Sequence, residues 1–294
     1  MKICCFGSLN LDMVFSVKEF VQPKETIHSQ GFNIYPGGKG LNQAMAIQKS
    51  GVDVMMAGSI GRDGQILLDV AKNMGLDYSN VRVTDVNTGL AVIQVNGAGE
   101  NCILLYDGAN KENDKQFIDQ VMDQLSAGDF LILQNEINNL DYIMTSAHER
   151  KIRMVLNPSP YEDQLNELPL EYCDYIILNE VEGEAMAGEK EAYSILKALT
   201  DRLPNTGIIL TKGSEGVYYS SDGHVGHQNA FQVQAVDTTG AGDAFTGYFI
   251  GMIAKGKTIA EAVTTAQKAA AISVTQKGAA ESIPFYEEVL NTEF

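Results

Sequence analysis

The apolar positions of this chain fall into short continuous runs, each closed by polar side chains. Phe130-Leu131-Ile132-Leu133 runs into Gln134-Asn135-Glu136, and Met154-Val155-Leu156 into Asn157-Pro158. Tyr175-Ile176-Ile177-Leu178 precedes Asn179-Glu180, and Ile208-Ile209-Leu210 precedes Thr211-Lys212-Gly213. Continuous rather than alternating apolar character predicts strands buried on both faces of a parallel sheet. Between these runs, residues 115–125 and 189–203 carry helical spacing. The alternation predicts an α/β fold: a doubly wound, mostly parallel sheet flanked by helices. Ligands of such sheets sit at the carboxyl ends of the strands, where the polar residues closing each run would lie.

Two segments depart from this pattern. Residues 13–35 and 88–106 hold alternating or mixed runs, such as Thr26-Ile27-His28-Ser29 and Ala91-Val92-Ile93-Gln94-Val95. The second run meets Asn96-Gly97-Ala98-Gly99, a hairpin signal. Both segments predict strands outside the main sheet that form a small antiparallel layer. There is no internal repeat or low-complexity linker, so residues 1–294 read as a single α/β domain carrying that layer.

Charge narrows the partners. With 38 acidic and 21 basic side chains among 294 residues, the net charge is −17. That argues against a nucleic-acid partner, which needs a basic face. A small anionic ligand stays open, because backbone amides bind phosphate whatever the net charge. The four cysteines form no C-x-x-C pair and read as core or half-buried thiols. The opening residues lack the apolar core of a signal peptide, and no 18 apolar residues run together, so a soluble cytoplasmic protein without a membrane partner is expected. His224 and His227 form an H-x-x-H beside a Gly-containing turn. With no third ligand near in sequence, they read as a surface hairpin rather than a zinc site.

Four segments carry candidate chemistry. Gly251 to Thr258 satisfies the P-loop expression G-x-x-x-x-G-K-[ST], yet the residues before it have helical spacing where a P-loop needs a strand. Gly256 suits the end of one helix, and Thr258 with Glu261 makes a capping box for the next. Asp237-Thr238-Thr239-Gly240-Ala241-Gly242-Asp243 leads into a helical segment, so its small residues let amides converge on an anion. Asp243 would stand at that hole as a base beside a transferring phosphoryl group, or else serve only as a helix cap. Gly37-Gly38-Lys39-Gly40-Leu41-Asn42-Gln43-Ala44 is another Gly-rich turn into a helix, with Lys39 and Asn42 as donors, or a plain helix entry. Gly7-Ser8-Leu9-Asn10-Leu11-Asp12 follows the first strand and is not G-x-G-x-x-G, so dinucleotide binding has little support.

Together these segments resemble the ribokinase-type (phosphofructokinase-B) family of carbohydrate kinases. Residues 37–44 resemble its N-terminal signature, and residues 237–243 resemble its C-terminal one. The resemblance extends through Gly108-Ala109-Asn110, Leu156-Asn157-Pro158 and Thr275-Gln276-Lys277-Gly278-Ala279. It implies an ATP-dependent kinase acting on a primary hydroxyl, with ribose the expected acceptor and ribose 5-phosphate the product. The same chemistry on fructose, another sugar or a nucleoside is the alternative, as is a non-catalytic sugar- or nucleotide-binding regulator. The resemblance makes Asp243 the catalytic base and the amides of Gly240, Ala241 and Gly242 the anion hole. It assigns Asn10, Asp12, Gly38, Lys39, Asn42 and Glu136 to the sugar. Asn179, Thr211, Gly213, Gly242 and Gln267 go to the nucleotide, and Glu182 to Mg²⁺ through water. Asp237, Thr239, Ser273, Gln276, Gly278 and Ser282 go to a monovalent cation, K⁺. It also implies that residues 13–35 and 88–106 form a lid through which two copies pair. Val14, Phe15, Ile103 and Leu105 are the expected apolar contacts, while Phe15, Phe20, Phe32 and Tyr35 are the rings available to stack on a nucleoside base.

Overall fold

The computed structural model describes residues 1–221 and 223–294. In chain order the strands are β1 (Ile3–Phe6), β2 (Asn10–Ser16), β3 (Gly31–Gly37), β4 (Met55–Gly61), β5 (Asp77–Thr84), β6 (Gly89–Val95) and β7 (Asn101–Tyr106). They continue with β8 (Phe130–Gln134), β9 (Arg153–Asn157), β10 (Tyr175–Asn179), β11 (Gly207–Thr211), β12 (Val217–Ser221) and β13 (His224–Gln228). The helices are α1 (Lys39–Lys49), α2 (Gln65–Asn73), α3 (Lys115–Met122), α4 (Leu140–Glu149), α5 (Glu180–Ala187), α6 (Ala192–Arg202), α7 (Ala241–Ala254), α8 (Ile259–Ser273) and α9 (Tyr286–Asn291).

Among the described residues, nine strands form the large sheet, in the order β13-β12-β11-β10-β9-β8-β1-β4-β5. All neighbours from β11 to β5 are parallel, and β12 and β13 add an antiparallel hairpin at one edge. The four apolar runs that predicted buried parallel strands are β8, β9, β10 and β11, adjacent in the sheet. Their continuous character follows from helices on both faces. Ile132, Val155, Ile177 and Ile209 face a layer containing α1, α2, α7 and α8. Leu131, Leu133, Met154, Leu156, Ile176 and Leu178 face the layer of α3 to α6. Cys4 and Cys5 divide between the same two layers; Cys173 is also buried, but Cys102 in β7 is exposed, contrary to the expectation of a half-buried thiol.

The separate small sheet has the order β3-β2-β6-β7. Its outer pairs, β2 with β3 and β6 with β7, are antiparallel, and its central pair, β2 with β6, is parallel. The run Thr26 to Ser29 is not a strand. It lies in the connection between β2 and β3, whose pairing begins only at Gly31. Register and pleat set the faces of this sheet. Asp12, Ala91 and Leu105 are in line, as are Val14, Ile93 and Ile103, so these six share one face. Phe15 alternates to the other face, where its ring packs 4.7 Å from that of Phe32. The expected grouping of Val14, Phe15, Ile103 and Leu105 on one outer surface is therefore corrected.

The P-loop-like segment is a helix junction. It spans the end of α7, a turn with Gly256 at φ 76°, and the cap of α8. Thr258 and Glu261 form the capping box there, and Lys257 pairs with Glu261 at 3.6 Å. His224 and His227 lie on the edge strand β13, where His227 stacks on Tyr218 with ring centroids 4.0 Å apart. No group of three or more potential metal ligands occurs among the described residues. No helix there is long and apolar enough to cross a membrane.

Candidate active site

A cleft of about 260 Å³ opens where the carboxyl ends of the parallel strands meet the small sheet. Asn157, Asn179 and Thr211, the residues that close β9, β10 and β11, line its floor, with Glu136 just beyond β8. The small sheet covers it with Asp12, Ala91, Ile93, Ile103 and Leu105. The N-termini of α1 and α7 supply Gly38, Lys39, Asn42, Gly240, Gly242 and Asp243. Ile103 and Leu105 thus face the cleft.

Asp243 sits in the first turn of α7. The helix begins after Gly240, whose φ of 75° is a left-handed conformation that glycine adopts without strain. A first turn leaves its amides without intrahelical acceptors, so positive potential gathers there. The Ala241 amide donates to the Thr238 carbonyl at 3.3 Å. The Asp243 carboxylate accepts from Asn42 Nδ2 and Gln43 Nε2, both at 2.9 Å. Burial pushes its pKa above the ordinary carboxylate range and Glu136 adds to that, while Lys39, Asn42 and Gln43 pull it back.

On the other wall, Lys39 Nζ pairs with Glu136 Oε1 at 2.7 Å, and Ser8 donates its hydroxyl to Glu136 Oε2. Asp12 is pushed up to about 7, chiefly by burial and then by the like charge of Glu136, with Lys39 opposing. Asn10 Oδ1 accepts from Asn110 Nδ2 at 2.7 Å, and Asn110 Oδ1 accepts from the Leu9 amide at 3.0 Å. With its oxygen so held, Asn10 keeps its amide hydrogens for a ligand oxygen.

At the far end, Asn179 and Glu182 form a reciprocal cap on α5. The Asn179 amide donates to Glu182 Oε2 and its side chain to Oε1, each at 2.9 Å. Both Glu182 oxygens are thus engaged, leaving lone pairs suited to water rather than to a direct metal cage. Asp237 bridges two loops, accepting from the Thr239 amide and the Gly278 amide at 3.0 Å each. Burial would raise its pKa, but those two amides, the Thr239 hydroxyl and Lys277 hold it below the usual range. In the second loop, Ser273 and Ser282 are buried and hydrogen-bonded to each other at 2.7 Å. The Gln276 amide donates to the Ser273 carbonyl at 3.1 Å.

The structure gathers Asn10, Asp12, Gly38, Lys39, Asn42, Glu136, Asn179, Glu182, Thr211, Thr239, Gly240, Gly242 and Asp243 around one cleft. Gly213 and Gln267 are not on its walls. Gly213 lies in the exposed turn after β11, and Gln267 is buried within α8. Sequence reasoning missed Ser8, Gln43, Asn110, Gln134 and the cleft residues Ser159 and Thr246. Gln43 and Ser8 stand inside the motifs at 37–44 and 7–12, and Asn110 inside Gly108-Ala109-Asn110, so position could have flagged these three. No aromatic ring lines the cleft among the described residues. The Phe15–Phe32 pair faces away from it.

The chain is similar to known proteins over nearly its whole length. The chain is 36% identical over 294 residues to a ribokinase of Haemophilus influenzae, spanning 97% of this chain and 95% of the relative. Ribokinase of Cryptococcus neoformans var. grubii serotype A, solved with ADP, is 32% identical with a TM-score of 0.87, each chain covered to 98%. Arabidopsis thaliana ribokinase, solved with ribose and ATP, is 27% identical with a TM-score of 0.85, covering 98% of this chain and 97% of that one. Residues 1–285 match the family described as pfkB family carbohydrate kinase, and the chain belongs to that family.

Proposed function

We propose that this protein is an ATP-dependent ribose kinase that moves the γ-phosphoryl group to the primary hydroxyl, giving ribose 5-phosphate and ADP. The observation that carries this reading is Asp243, held by two amides at the N-terminus of α7 and opening onto a polar cleft. Asp243 takes the hydroxyl proton as the sugar oxygen bonds to the γ-phosphorus and the bond to the ADP oxygen breaks. The amides of Gly240, Ala241 and Gly242 stabilise charge on the transferring oxygens. Asn10, Asp12, Gly38, Lys39, Asn42 and Glu136 orient the ring hydroxyls. Asn179 and Thr211 face the phosphates, with Gly213 further along the nucleotide, while Gln267 is buried within α8 and takes no part. Relatives named ribokinase, one of them solved with ribose and ATP, support the acceptor.

The cleft also favours a free sugar over the rival acceptors. A nucleoside base wants a stacking ring, and none lines the cleft among the described residues. A sugar phosphate wants an unpaired cation, whereas Lys39 is already neutralised by Glu136.

Two ions fit the residues present. Asn179 and Glu182 would hold a hydrated Mg²⁺ on the phosphates, and Mg²⁺ bound there supplies neutralisation of phosphate charge. The ionised Asp237, with oxygens of Thr239, Ser273, Gln276, Gly278 and Ser282, suits a K⁺ ion, which supplies fixed positive charge beside the anion hole. Residues 1–294 act as one domain, with segments 13–35 and 88–106 as a lid that excludes water from the transfer. The opposite lid face carries Phe32, Ile34, Leu104 and Tyr106, all exposed. Pairing two lids about a two-fold axis would cover these side chains and the strand edges. The protein works in the cytoplasm.

Four outcomes test these readings. A coupled assay of ADP release with ribose, 2-deoxyribose, fructose, a sugar phosphate and a nucleoside is expected to give the highest kcat/KM with ribose. In the same assay Asp243→Asn should lose at least about 10²-fold in kcat while still binding ATP. A nucleoside preference, or near-normal turnover in Asp243→Asn, defeats the assignment.

The second outcome follows from Asp12. Its pKa of about 7 means the carboxyl is largely protonated below that pH. Sugar hydroxyls donate to the ionised form and favour it, so ribose must displace a proton at low pH. KM for ribose should fall about tenfold from pH 6 to pH 8 and then level. Asp12→Asn should give a higher, flat profile. A flat wild-type profile over that range contradicts the role given to Asp12.

The third concerns the cation. Initial rates at equal ionic strength and saturating Mg²⁺ should be higher in potassium than in tetramethylammonium, through kcat. Equal rates in both remove the ion from the account. The last is sedimentation at micromolar concentration, which should give a dimer that Leu104→Glu converts to monomer. A wild-type monomer rules out pairing through the lid.

A further inference from the structure

The amide partners of Asp243 belong to a buried chain that reaches the first strand of the large sheet. Gln43 Nε2 donates to Asp243 Oδ1, and Gln43 Oε1 accepts from Gln134 Nε2 at 2.8 Å. Gln134 Nε2 also reaches Cys5 Sγ at 3.6 Å, and the Cys5 thiol donates to the Gly40 carbonyl at 3.2 Å. Gln43, Gln134 and Cys5 are fully buried, out of contact with bulk water.

The chain can point only one way. An ionised carboxylate accepts and cannot donate, so Gln43 must turn its NH₂ toward Asp243 and its oxygen away. That oxygen in turn requires the NH₂ of Gln134. The cost of this polarity is visible: Gln134 Oε1 is buried without a hydrogen-bond partner. It lies over Gly7, where a Cβ would come within 1.9 Å of it, so the absence of a side chain at position 7 leaves it room. Reversing Gln134 would set two amide oxygens against each other. Reversing Gln43 would set an oxygen against the carboxylate.

We infer that Gln43, anchored by Gln134, is a positioning residue that fixes the Asp243 carboxylate and keeps it in the ionised form. Asn42 holds Oδ2 from the rim of the cleft, while Gln43 holds Oδ1 from the interior. Each carboxylate oxygen keeps a lone pair, and the rotation that would carry both away from the sugar is blocked. The charged and titratable groups facing Asp243 are Lys39 from α1, Glu136 beyond β8, Asp12 from β2 and the Cys5 thiol from β1. Burial pushes that thiol up to about 12, so it stays neutral over the working range. Lys39 is shared with Glu136, which leaves the amides as the partners dedicated to Asp243.

The inference rests on Asp243 acting as the base, and its test has one arm that needs no turnover. Gln43→Met keeps the length of the side chain and removes the donor, while Gln134→Met leaves the donor and removes its anchor. The first arm titrates ¹³C-carboxyl-labelled protein by NMR, with the Asp243 signal assigned through Asp243→Asn. The second measures kcat against pH with ribose and ATP. The Asp243 midpoint and the acid limb of kcat should both move up by about one pH unit in Gln43→Met, the scale of one lost hydrogen bond to a charge. A smaller move in the same direction is expected in Gln134→Met. KM for ribose and ATP should stay within about threefold, and kcat should recover above the new midpoint. A folded Gln43→Met with an unmoved Asp243 midpoint overturns the inference. If Gln43→Met does not fold, an unmoved midpoint in Gln134→Met does the same. A midpoint that moves in a protein without sugar-dependent ADP release leaves the positioning role standing and removes the kinase reading instead.

Discussion

A half-buried carboxylate in a cleft wall still needs donors, and the contact of α1 with α7 supplies them for Asp243. The two helices pack closely at Gly247, where a Cβ would lie 2.3 Å from the Ala46 methyl group. That approach brings the first turns of both helices side by side at the same end of the sheet. Asn42 and Gln43 then reach the carboxylate from 200 residues away in sequence. Without the contact, a charge at this depth would protonate or turn to solvent. The placing of Asp243 and the first turn of α7 depends on this one helix pair, of which α1 packs on β1 and β8.

Charge is arranged around that point with little excess. Asp12, Glu136 and Asp243 crowd one part of the cleft, and Lys39 is the one cation in its wall among the described residues. Lys39 settles on Glu136, and burial together with the Glu136 charge leaves Asp12 titrating near neutrality. Asp243 is treated differently: its neutral partners are amides whose direction a proton cannot reverse. Burial raises both carboxyls, but only Asp243 has two side-chain amides that pull it back. The net charge of −17 is no bar to an anionic ligand, because backbone amides at the start of α7 gather positive potential.

Legibility in the sequence followed burial. Runs 130–133, 154–156, 175–178 and 208–210 were readable as parallel strands because both of their faces meet helices, which leaves no polar alternation to confuse them. The small sheet was readable as a departure from that pattern. Its central parallel pairing was not, since nothing local distinguishes β2 beside β6 from a hairpin partner. Thr26 to Ser29 misled because four alternating residues are too few to outweigh a missing partner strand. The P-loop expression at residues 251–258 forms no P-loop, because that mechanism needs a strand where α7 stands.

The site divides along the same line. Residues inside a local device could be read: Gly240 and Asp243 in a Gly-rich turn that leads into a helix, whereas Asn179 and Glu182 entered only through the family resemblance. Residues whose role exists only between distant elements could not. Gln134 closes an apolar run like any strand end, and nothing near it in sequence names Gln43 as its partner. Asn110 gives no hint that it fixes the amide of Asn10. Such residues do not line the cleft, yet they decide which way the groups that do line it are turned. An amide has a donor end and an acceptor end, and a buried one must commit to an orientation along its whole chain of neighbours. The direction of Asn10 is therefore settled at Leu9, and that of Gln43 at Gln134 and Asp243 together. A substitution at either supporting amide would leave the cleft its shape and change what its walls offer.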